Sequence, residues 1–296
     1  MPVPHVLLTL LVVFIWGLNF LFVKICLEEI SPLLLCALRF FLASVPAIFF
    51  IKPPKMPFRT VALYGLIMFA LQFALLFLGI YAGMTAGMAA LIMQVQIFFS
   101  MFFAAIFLDE QPTFLQVAGA FTSFIGIGVV AWHFDNHLSL LGFILILAAA
   151  ATWGFGNLIT KKSPSVNAIA LIVWGSFIAF PPLFLCSLLY EGFASAVLSY
   201  QHISLKGIGA LLYIVYASTW IGYGAWNWLL ARYPIGMIVP FTLLIPIIGV
   251  LGSVAFLGEP LQTWKIIAGL FVVTGLCINL LNSYAPIKFN KKAVNA

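Results

Sequence analysis

Trp16-Gly17-Leu18-Asn19-Phe20, followed by Lys24, returns later in the chain as Trp153-Gly154-Phe155-Gly156-Asn157, followed by Lys161, each time inside a long apolar run. The lysine trails the tryptophan by the same spacing in both places. A second echo agrees with the first: Leu108-Asp109-Glu110 precedes an apolar run holding Gly119 and Gly126, as Leu257-Gly258-Glu259 precedes one holding Gly269 and Gly275. The chain divides into a first repeat over residues 1–133 and a second over 134–296, the latter ending in a basic tail. Duplicated apolar chains of this kind build a transport path between their halves.

Hydrophobic residues make up 65% of the chain, charged residues 7%, and the mean hydropathy is +1.20, far outside the composition of a soluble domain. In lipid every backbone amide must be satisfied within its own segment or a closed sheet. Runs of about 20 apolar residues therefore fit helices rather than the alternation of a barrel. The expected fold is an all-α membrane protein.

Charge, Pro and Gly punctuate ten spans, near 3–25, 31–51, 58–81, 85–108, 113–132, 138–160, 167–190, 206–229, 235–257 and 263–284. The first run has neither a cationic n-region nor an A-x-A cleavage signal, so it is expected to be retained as a span. With the N-terminus inside, Lys52, Lys55, Arg59, Lys161, Lys162, Arg232, Lys288, Lys291 and Lys292 fall in the cytoplasm, and Lys24, Lys206 and Lys265 fall outside. That bias obeys the positive-inside rule and puts both termini in the cytoplasm. Five spans per repeat is an odd number, so the second repeat is inverted. Inversion brings outward-open and inward-open states close in energy, which is the basis of alternating access around a central cavity between the repeats.

The net charge of +6 does not indicate nucleic acid, because the basic residues sit at helix ends with no patch of interleaved aromatics. Cys26, Cys36, Cys186 and Cys277 show no C-x-x-C or Cys/His spacing, and read as packing residues. No P-loop and no H-E-x-x-H motif is present. The expectation is a transporter with no cofactor, no metal and no enzymatic chemistry, whose partners are a small-molecule substrate and the bilayer. Oligomeric state is left open, a monomer included.

Candidate pathway residues follow from polarity inside spans. Arg39 is the one charged side chain deep within a span, reading either as counter-ion for a substrate carboxylate or as an architectural cation bonded to helix carbonyls. Tyr213, Tyr216, Trp220, Tyr223 and Asn227 recur at steps of three and four, which places all five on one face of an α-helix. Trp16 and Asn19 share a face of the first span, Trp153 and Asn157 one of the sixth, and Gln96 and Ser100 one of the fourth. Buried amides such as Asn19, Gln72, Gln94, Gln96 and Asn157 either join helices or meet a polar solute. Pro46 and Pro181-Pro182 occupy corresponding places in the second and seventh spans, and Pro240 and Pro246 lie in the ninth; these are candidate helix breaks and gates. Glu110 and Glu259 each open a loop, where a carboxylate can cap the next helix. No Asp or Glu lies at mid-membrane, and His5, His133, His137 and His202 lie near span ends, so facilitated diffusion stands beside proton antiport.

Over essentially its whole length the chain resembles the EamA branch of the drug/metabolite transporter superfamily. The resemblance rests on Trp16-Gly17-Leu18-Asn19-Phe20 with Lys24, Leu38-Arg39-Phe40, Gln94-Val95-Gln96-Ile97-Phe98-Phe99, Gly222-Tyr223-Gly224 and the acidic residue closing each half. Arg232-Tyr233, Pro240 and Leu243-Leu244-Ile245-Pro246 are similar to the family's exporters of cysteine and O-acetylserine. The resemblance implies a bacterial inner-membrane exporter of amino acids or their derivatives. One departure is Asp109-Glu110, where the family usually has Gly-Glu; the second half keeps Gly258-Glu259. The residues leave open a broad drug, nucleotide-sugar or lipid carrier and, outside transport, an intramembrane enzyme or sensor.

Overall fold

The computed structural model describes the chain except for residues 111, 133–138, 164–166, 259–261 and 282–296. Glu259, His133, His137, Lys288, Lys291 and Lys292 thus lie outside the described residues.

The described residues contain helices and connecting turns but no strand. Seven helices are long and apolar enough to cross a membrane: α1 (Val3–Leu27), α2 (Pro32–Phe49), α3 (Phe58–Tyr81), α4 (Ala86–Phe107), α6 (Leu140–Lys161), α7 (Ala168–Glu191) and α8 (Leu205–Arg232). Three more helices, α5 (Phe114–Trp132), α9 (235–257) and α10 (Thr263–Leu281), contain shorter apolar stretches, Phe114–Gly126, Phe241–Leu257 and Ile266–Gly275. A short helix, Phe193–His202, links α7 to α8.

Starts are set by local chemistry. Thr85, Ser139, Asn167 and Ser204 accept from the first free amides of α4, α6, α7 and α8, the role short oxygen-bearing side chains fill at an N-cap. Before α5, Thr113 and Gln116 form a reciprocal pair: the Thr113 amide donates to Gln116 Oε1 at 2.8 Å, and the Gln116 amide to Thr113 Oγ1 at 3.3 Å. That capping box leaves Glu110 unneeded at α5, and its carboxylate instead accepts from the Ile235 amide that opens α9. At the far end of α4, Asp109 has φ +55, and at the matching end of α9, Gly258 has φ +65. Both repeats turn there through the left-handed region, which Asp tolerates and Gly adopts without cost.

The prolines behave unequally. The α-helical part of α2 stops at Ser44 and resumes past Pro46 as a 3-10 turn. Pro181 and Pro182, by contrast, lie inside an uninterrupted α-helical stretch that gives way to a π-turn only at Ser187. Unwinding there would strand more backbone groups in lipid than two missing amides do. Pro240 and Pro246 stand where α9 changes from α to 3-10 turns and back again, so the missing amides fall at the changes of helix type.

Packing pairs the helices with a regular pattern. α2 lies against α7, α5 against α10, α1 against α8 and α9, and α6 against α3 and α4. The first two pairs are antiparallel. Glu191 at the end of α7 accepts from Ser31 Oγ and the Leu33 amide at the start of α2, while Trp174 near the start of α7 donates to the Ile51 carbonyl just past α2. Likewise Gly126 faces Ala268 and Phe271, whereas Gly275 faces Gly119 and Ser123. Two glycines of the repeated motif permit close crossings between the halves: a Cβ on Gly17 would lie 2.5 Å from Ile248 Cβ of α9, and one on Gly154 2.6 Å from Phe99 Cβ of α4. Outward-facing Phe14, Phe102, Phe121, Phe184 and Phe256 are exposed, a surface suited to lipid rather than water.

Candidate functional site

Where α1, α3, α6, α8 and α9 converge, the repeated tryptophans meet. Trp16 and Trp153 pack edge to face at 5.3 Å between ring centroids, and Trp16 also lies 4.9 Å from Tyr223 and 5.1 Å from Trp226. Trp16 Nε1 donates to the Ser218 carbonyl at 3.1 Å. Trp16, Trp153 and Tyr223 border a void of about 20 Å³ that also touches Asn19, Gln72, Phe73 and Ser218. By the roughly 10–15 Å³ that a water centre needs, this space holds about one water and no amino acid. Larger spaces, about 800 Å³ beside α7 and α8 and about 380 Å³ between α4, α9 and α10, are lined chiefly by apolar residues, several of them exposed.

The walls of the central void carry unused polar atoms. Asn19 Oδ1 and Trp153 Nε1 are buried without a hydrogen-bond partner, and so is Nη1 of Arg39, which lies outside the lining itself. Such atoms cost free energy unless something arrives to pair with them. Arg39 is 0% exposed. Its Nε donates to Thr219 Oγ1 at 2.8 Å, its Nη2 to Ser218 Oγ at 3.4 Å, and its guanidinium lies 3.9 Å from the centroid of Phe73. Both Phe73 and Ser218 touch the void. Arg39 thus stands directly behind the lining, held by hydroxyls and a ring rather than by a carboxylate. Gln72 Oε1 accepts from Tyr223 Oη at 3.4 Å on the same wall.

Other residues singled out in the sequence form a separate, closed network. Gln96 Nε2 donates to Thr242 Oγ1 at 2.8 Å, Ser100 Oγ to Gln96 Oε1 at 3.2 Å, Asn157 Nδ2 to Ser100 Oγ at 3.0 Å, and Trp226 Nε1 to Asn157 Oδ1 at 3.1 Å. Its amides and hydroxyls join α4, α6, α8 and α9. Asn227 Nδ2 donates to Tyr64 Oη at 3.1 Å, tying α8 to α3. Gln94 turns back on its own helix, donating to the Ala90 carbonyl.

The expected five-residue stripe on α8 is split. Residues Tyr213–Gly222 run as a π-helix, whose i→i+5 bonding widens each turn and voids the three-and-four arithmetic. Tyr223 and Asn227 are buried in the bundle; Tyr216 is 46% exposed. Trp220 lines the outer groove and donates to the Ala43 carbonyl, and Tyr213 stacks on Phe22 and donates to the Ile15 carbonyl. The same widened turn aims Ser218 and Thr219 at Arg39, and Thr219 Oγ1 donates five residues back to the Ile214 carbonyl.

Residues 3–132 and 140–281 match the EamA-like transporter family. The chain belongs to that family. This EamA-like transporter is 40% identical over 279 residues to a probable amino-acid metabolite efflux pump of Salmonella typhimurium, covering 92% of this chain and 93% of that one. It is 38% identical, over the same shares, to the protein of that name in Escherichia coli K12. A more distant relative, 22% identical over 61% of this chain and 59% of its own length, is a probable terminal-alkyne amino-acid exporter of Streptantibioticus cattleyicolor. A solved crystal structure, 16% identical, superposes with a TM-score of 0.72 over 94% of this chain and 97% of that one, which establishes a shared fold. EamA-like transporters are multi-pass membrane proteins of helices.

The ends of the transporter are latched. Glu29 accepts from the Ser204 amide and hydroxyl at the start of α8, and these bonds hold its carboxyl below the ordinary range. At the opposite end Lys161 Nζ donates to the Leu230 and Tyr233 carbonyls, and His5 Nδ1 meets Tyr233 Oη. Glu110 is held above the ordinary carboxylate range by burial, partly offset by Lys161 and the Ile235 amide. Among the described residues no group of three or more His, Cys, Asp or Glu is placed to hold a metal ion.

Sequence reasoning placed Trp153 beside Asn157 on one helical face as the twin of Trp16, but passed over Phe73, Ser218 and Thr219 as site residues. Ser218 and Thr219 carried no signal in an α-helical reading, because only the π-turn brings them inward.

Proposed function

We propose that this EamA-like transporter exports amino acids or their derivatives, compounds such as cysteine or O-acetylserine among them, by alternating access at the Trp16–Trp153 centre. It does so as ten membrane spans in two inverted repeats, 1–133 and 134–296, in the bacterial inner membrane with both termini cytoplasmic. Several observations support this arrangement. The family matches each half. The pairs α2–α7 and α5–α10 are antiparallel. π-turns fall in α3 and α8, at Gly65–Leu71 and Tyr213–Gly222, and 3-10 turns in α4 and α9, at Met93–Val95 and Val239–Leu244, while α2 and α7 end unlike, in a 3-10 turn and a π-turn. Export of amino-acid metabolites agrees with the names carried by the relatives at 40% and 38% identity.

The observation that carries the reading is Arg39. A cation at mid-helix costs about 3 kcal/mol even on permissive insertion scales, and this one has an unpaired Nη1, contacts the Phe73 and Ser218 that line the void, and has no anion against it. A substrate carboxylate supplies the missing charge, forming charge-assisted bonds that stabilise the loaded state. Admission requires one end to open, since the void is smaller than any amino acid. The latches at Glu29–Ser204 and at Lys161–Tyr233 are the contacts that opening breaks on either side.

The test is counterflow in proteoliposomes loaded with unlabelled amino acid and given labelled amino acid outside. Wild-type protein accumulates label transiently, and Arg39→Gln, reconstituted in equal folded amount, reduces uptake by about tenfold or more. Undiminished exchange by Arg39→Gln overturns the role given to Arg39. Absence of exchange by the wild type for every amino acid tried overturns the export reading.

A further inference from the structure

The groups around the central void are unevenly provided for the two ends of an amino acid. For a carboxylate there are two free donors, Arg39 Nη1 and Trp153 Nε1, both buried and unpaired. For an ammonium there is one free acceptor, the neutral Asn19 Oδ1, and Gln72 Oε1, which already takes the Tyr223 hydroxyl. Acidic residues with described placement stand at helix ends: Glu28 and Glu29 after α1, Asp109 and Glu110 after α4, and Glu191 at the end of α7. Glu29 and Glu191 are committed to capping α8 and α2.

The rings offer an ammonium little more. A cation is held by the open face of an indole or phenol. The face of Phe73 is taken by Arg39 at 3.9 Å, and Trp16 is packed against Trp153, Tyr223 and Trp226 at 4.9 to 5.3 Å. A free ammonium on the substrate is also tied by two bonds to its own carboxylate. It is therefore brought close to the Arg39 guanidinium, and like charges repel most strongly where water is absent. One lone protein cation is neutralised by a ligand carrying one negative charge. A zwitterion leaves the pocket with the charge it had when empty.

Resting on the export reading above, we infer that the site reads the carboxylate and has no requirement for the ammonium group. Its ligand class is small monocarboxylates, with 2-oxo acids accepted alongside the amino acids that share their side chains. Asn19 serves the neutral substituent at the α-carbon, donating through Nδ2 to an oxo group or accepting through Oδ1 from an amine. Trp153 Nε1 and Arg39 Nη1 together hold the carboxylate, so a methyl ester, which has lost the charge, is rejected.

The test uses matched sets built on the side chains of alanine, methionine and phenylalanine, each set an L-amino acid, its 2-oxo acid and its methyl ester. Each compound is measured as a competitor of labelled amino-acid counterflow and, separately, by thermal shift of the full chain in detergent. The expected result is that the 2-oxo acid competes within about threefold of the amino acid while the ester is weaker by about thirtyfold or more, the scale on which loss of a charged hydrogen-bonding group is felt. In Trp153→Phe, which stays aromatic but loses the free donor together with part of the ring volume, the acid-to-ester ratio falls several-fold, and in Arg39→Gln it approaches one. Exchange of an amino acid that its 2-oxo acid fails to inhibit overturns this inference and leaves export intact. Failure of all three sets both to exchange and to shift the melting temperature overturns both.

Discussion

Trp16 and Trp153, twins in the sequence repeat, touch edge to face at the centre of the bundle, yet their indole N–H groups have opposite fates. Trp16 Nε1 donates to the Ser218 carbonyl at 3.1 Å, and Trp153 Nε1 is buried with no partner. Duplication supplied two equivalent residues, and the π-turn of α8 gave only one of them a carbonyl. Trp16→Phe is expected to lower stability by about 1 to 2 kcal/mol, the worth of a buried hydrogen bond with its stranded acceptor. Trp153→Phe loses no hydrogen bond made in this state and carries only the cost of the smaller ring, which Trp16→Phe shares, so its melting temperature is expected to fall by less than that of Trp16→Phe. A larger loss for Trp153→Phe than for Trp16→Phe, measured by thermal unfolding of both variants, contradicts this assignment.

Gly17 and Gly154 follow those tryptophans, and each lets its helix close on the fourth helix of the other half, Gly17 on Ile248 of α9 and Gly154 on Phe99 and Ser100 of α4. The two positions differ in how much can yield. A Cβ on Gly154 would stand 2.9 Å from the Ser100 backbone nitrogen as well as 2.6 Å from Phe99 Cβ, and backbone moves less readily than a side-chain end. Gly154→Ala is expected to destabilise by about 1 to 3 kcal/mol, the usual range for overpacking. The check is the melting temperature and the yield of monodisperse protein, with Gly209→Ala, where an added Cβ meets nothing within 4 Å, as control. Equal behaviour of the two alanine variants refutes the close-approach explanation.

Asp109 occupies a left-handed backbone position that its counterpart in the second half fills with Gly258, at φ +55 and +65 respectively. A non-glycine residue there carries a steric cost of about 1 kcal/mol, reduced for Asp by its short polar side chain. Asp109→Gly is therefore expected to raise stability by a few tenths to about 1 kcal/mol while leaving transport unchanged. Asp109→Ala, which keeps the Cβ and loses the carboxylate, separates the two causes and is expected to be no more stable than wild type.

How much of this was legible beforehand depends on which physical rule governed each residue. The apolar runs and their punctuation fixed the helices closely, because lipid leaves the backbone few alternatives. The repeated Trp-Gly pair showed the duplication, but not that the two tryptophans meet or that the glycines set close crossings. Arg39 was identifiable as a lone deep cation, but its partners Ser218 and Thr219 were not. They depend on π-turn geometry that propensity does not encode, and the same turn dispersed Tyr216 and Trp220 away from the interior. Gln96, Ser100 and Asn157 were recognisable as buried polar groups. Whether they bonded to one another or awaited a solute turned on Thr242 and Trp226, residues distant in sequence whose approach only tertiary packing sets. Glu110 was readable as a capping carboxylate, though the helix it caps was not, since Thr113 and Gln116 had already satisfied the nearer one.

Glu110 gives this packed state a pH dependence whose sign can be worked out. Burial holds its carboxyl above the ordinary carboxylate range, with Lys161 and the Ile235 amide pulling only partly the other way. The packed state therefore binds the proton more tightly than the unfolded chain, whose glutamate titrates near pH 4.3. By linkage, the stabilisation from protonation is complete below that pH and is lost as pH rises through the raised value. Glu110→Gln imitates the protonated form at every pH. Melting temperatures measured between pH 4 and pH 8 are expected to fall more steeply with rising pH for wild type than for Glu110→Gln. The contribution lies on the latch formed by the ends of α4, α6 and α8 with the start of α9, so loosening it at higher pH is expected to favour opening at that end. Cysteine-accessibility labelling of a Tyr233→Cys variant reads this directly, as a labelling rate that rises across the same window more than the reagent's own thiolate dependence, taken from a Lys55→Cys control. Parallel melting curves for wild type and Glu110→Gln across the window are the result that sinks the assignment.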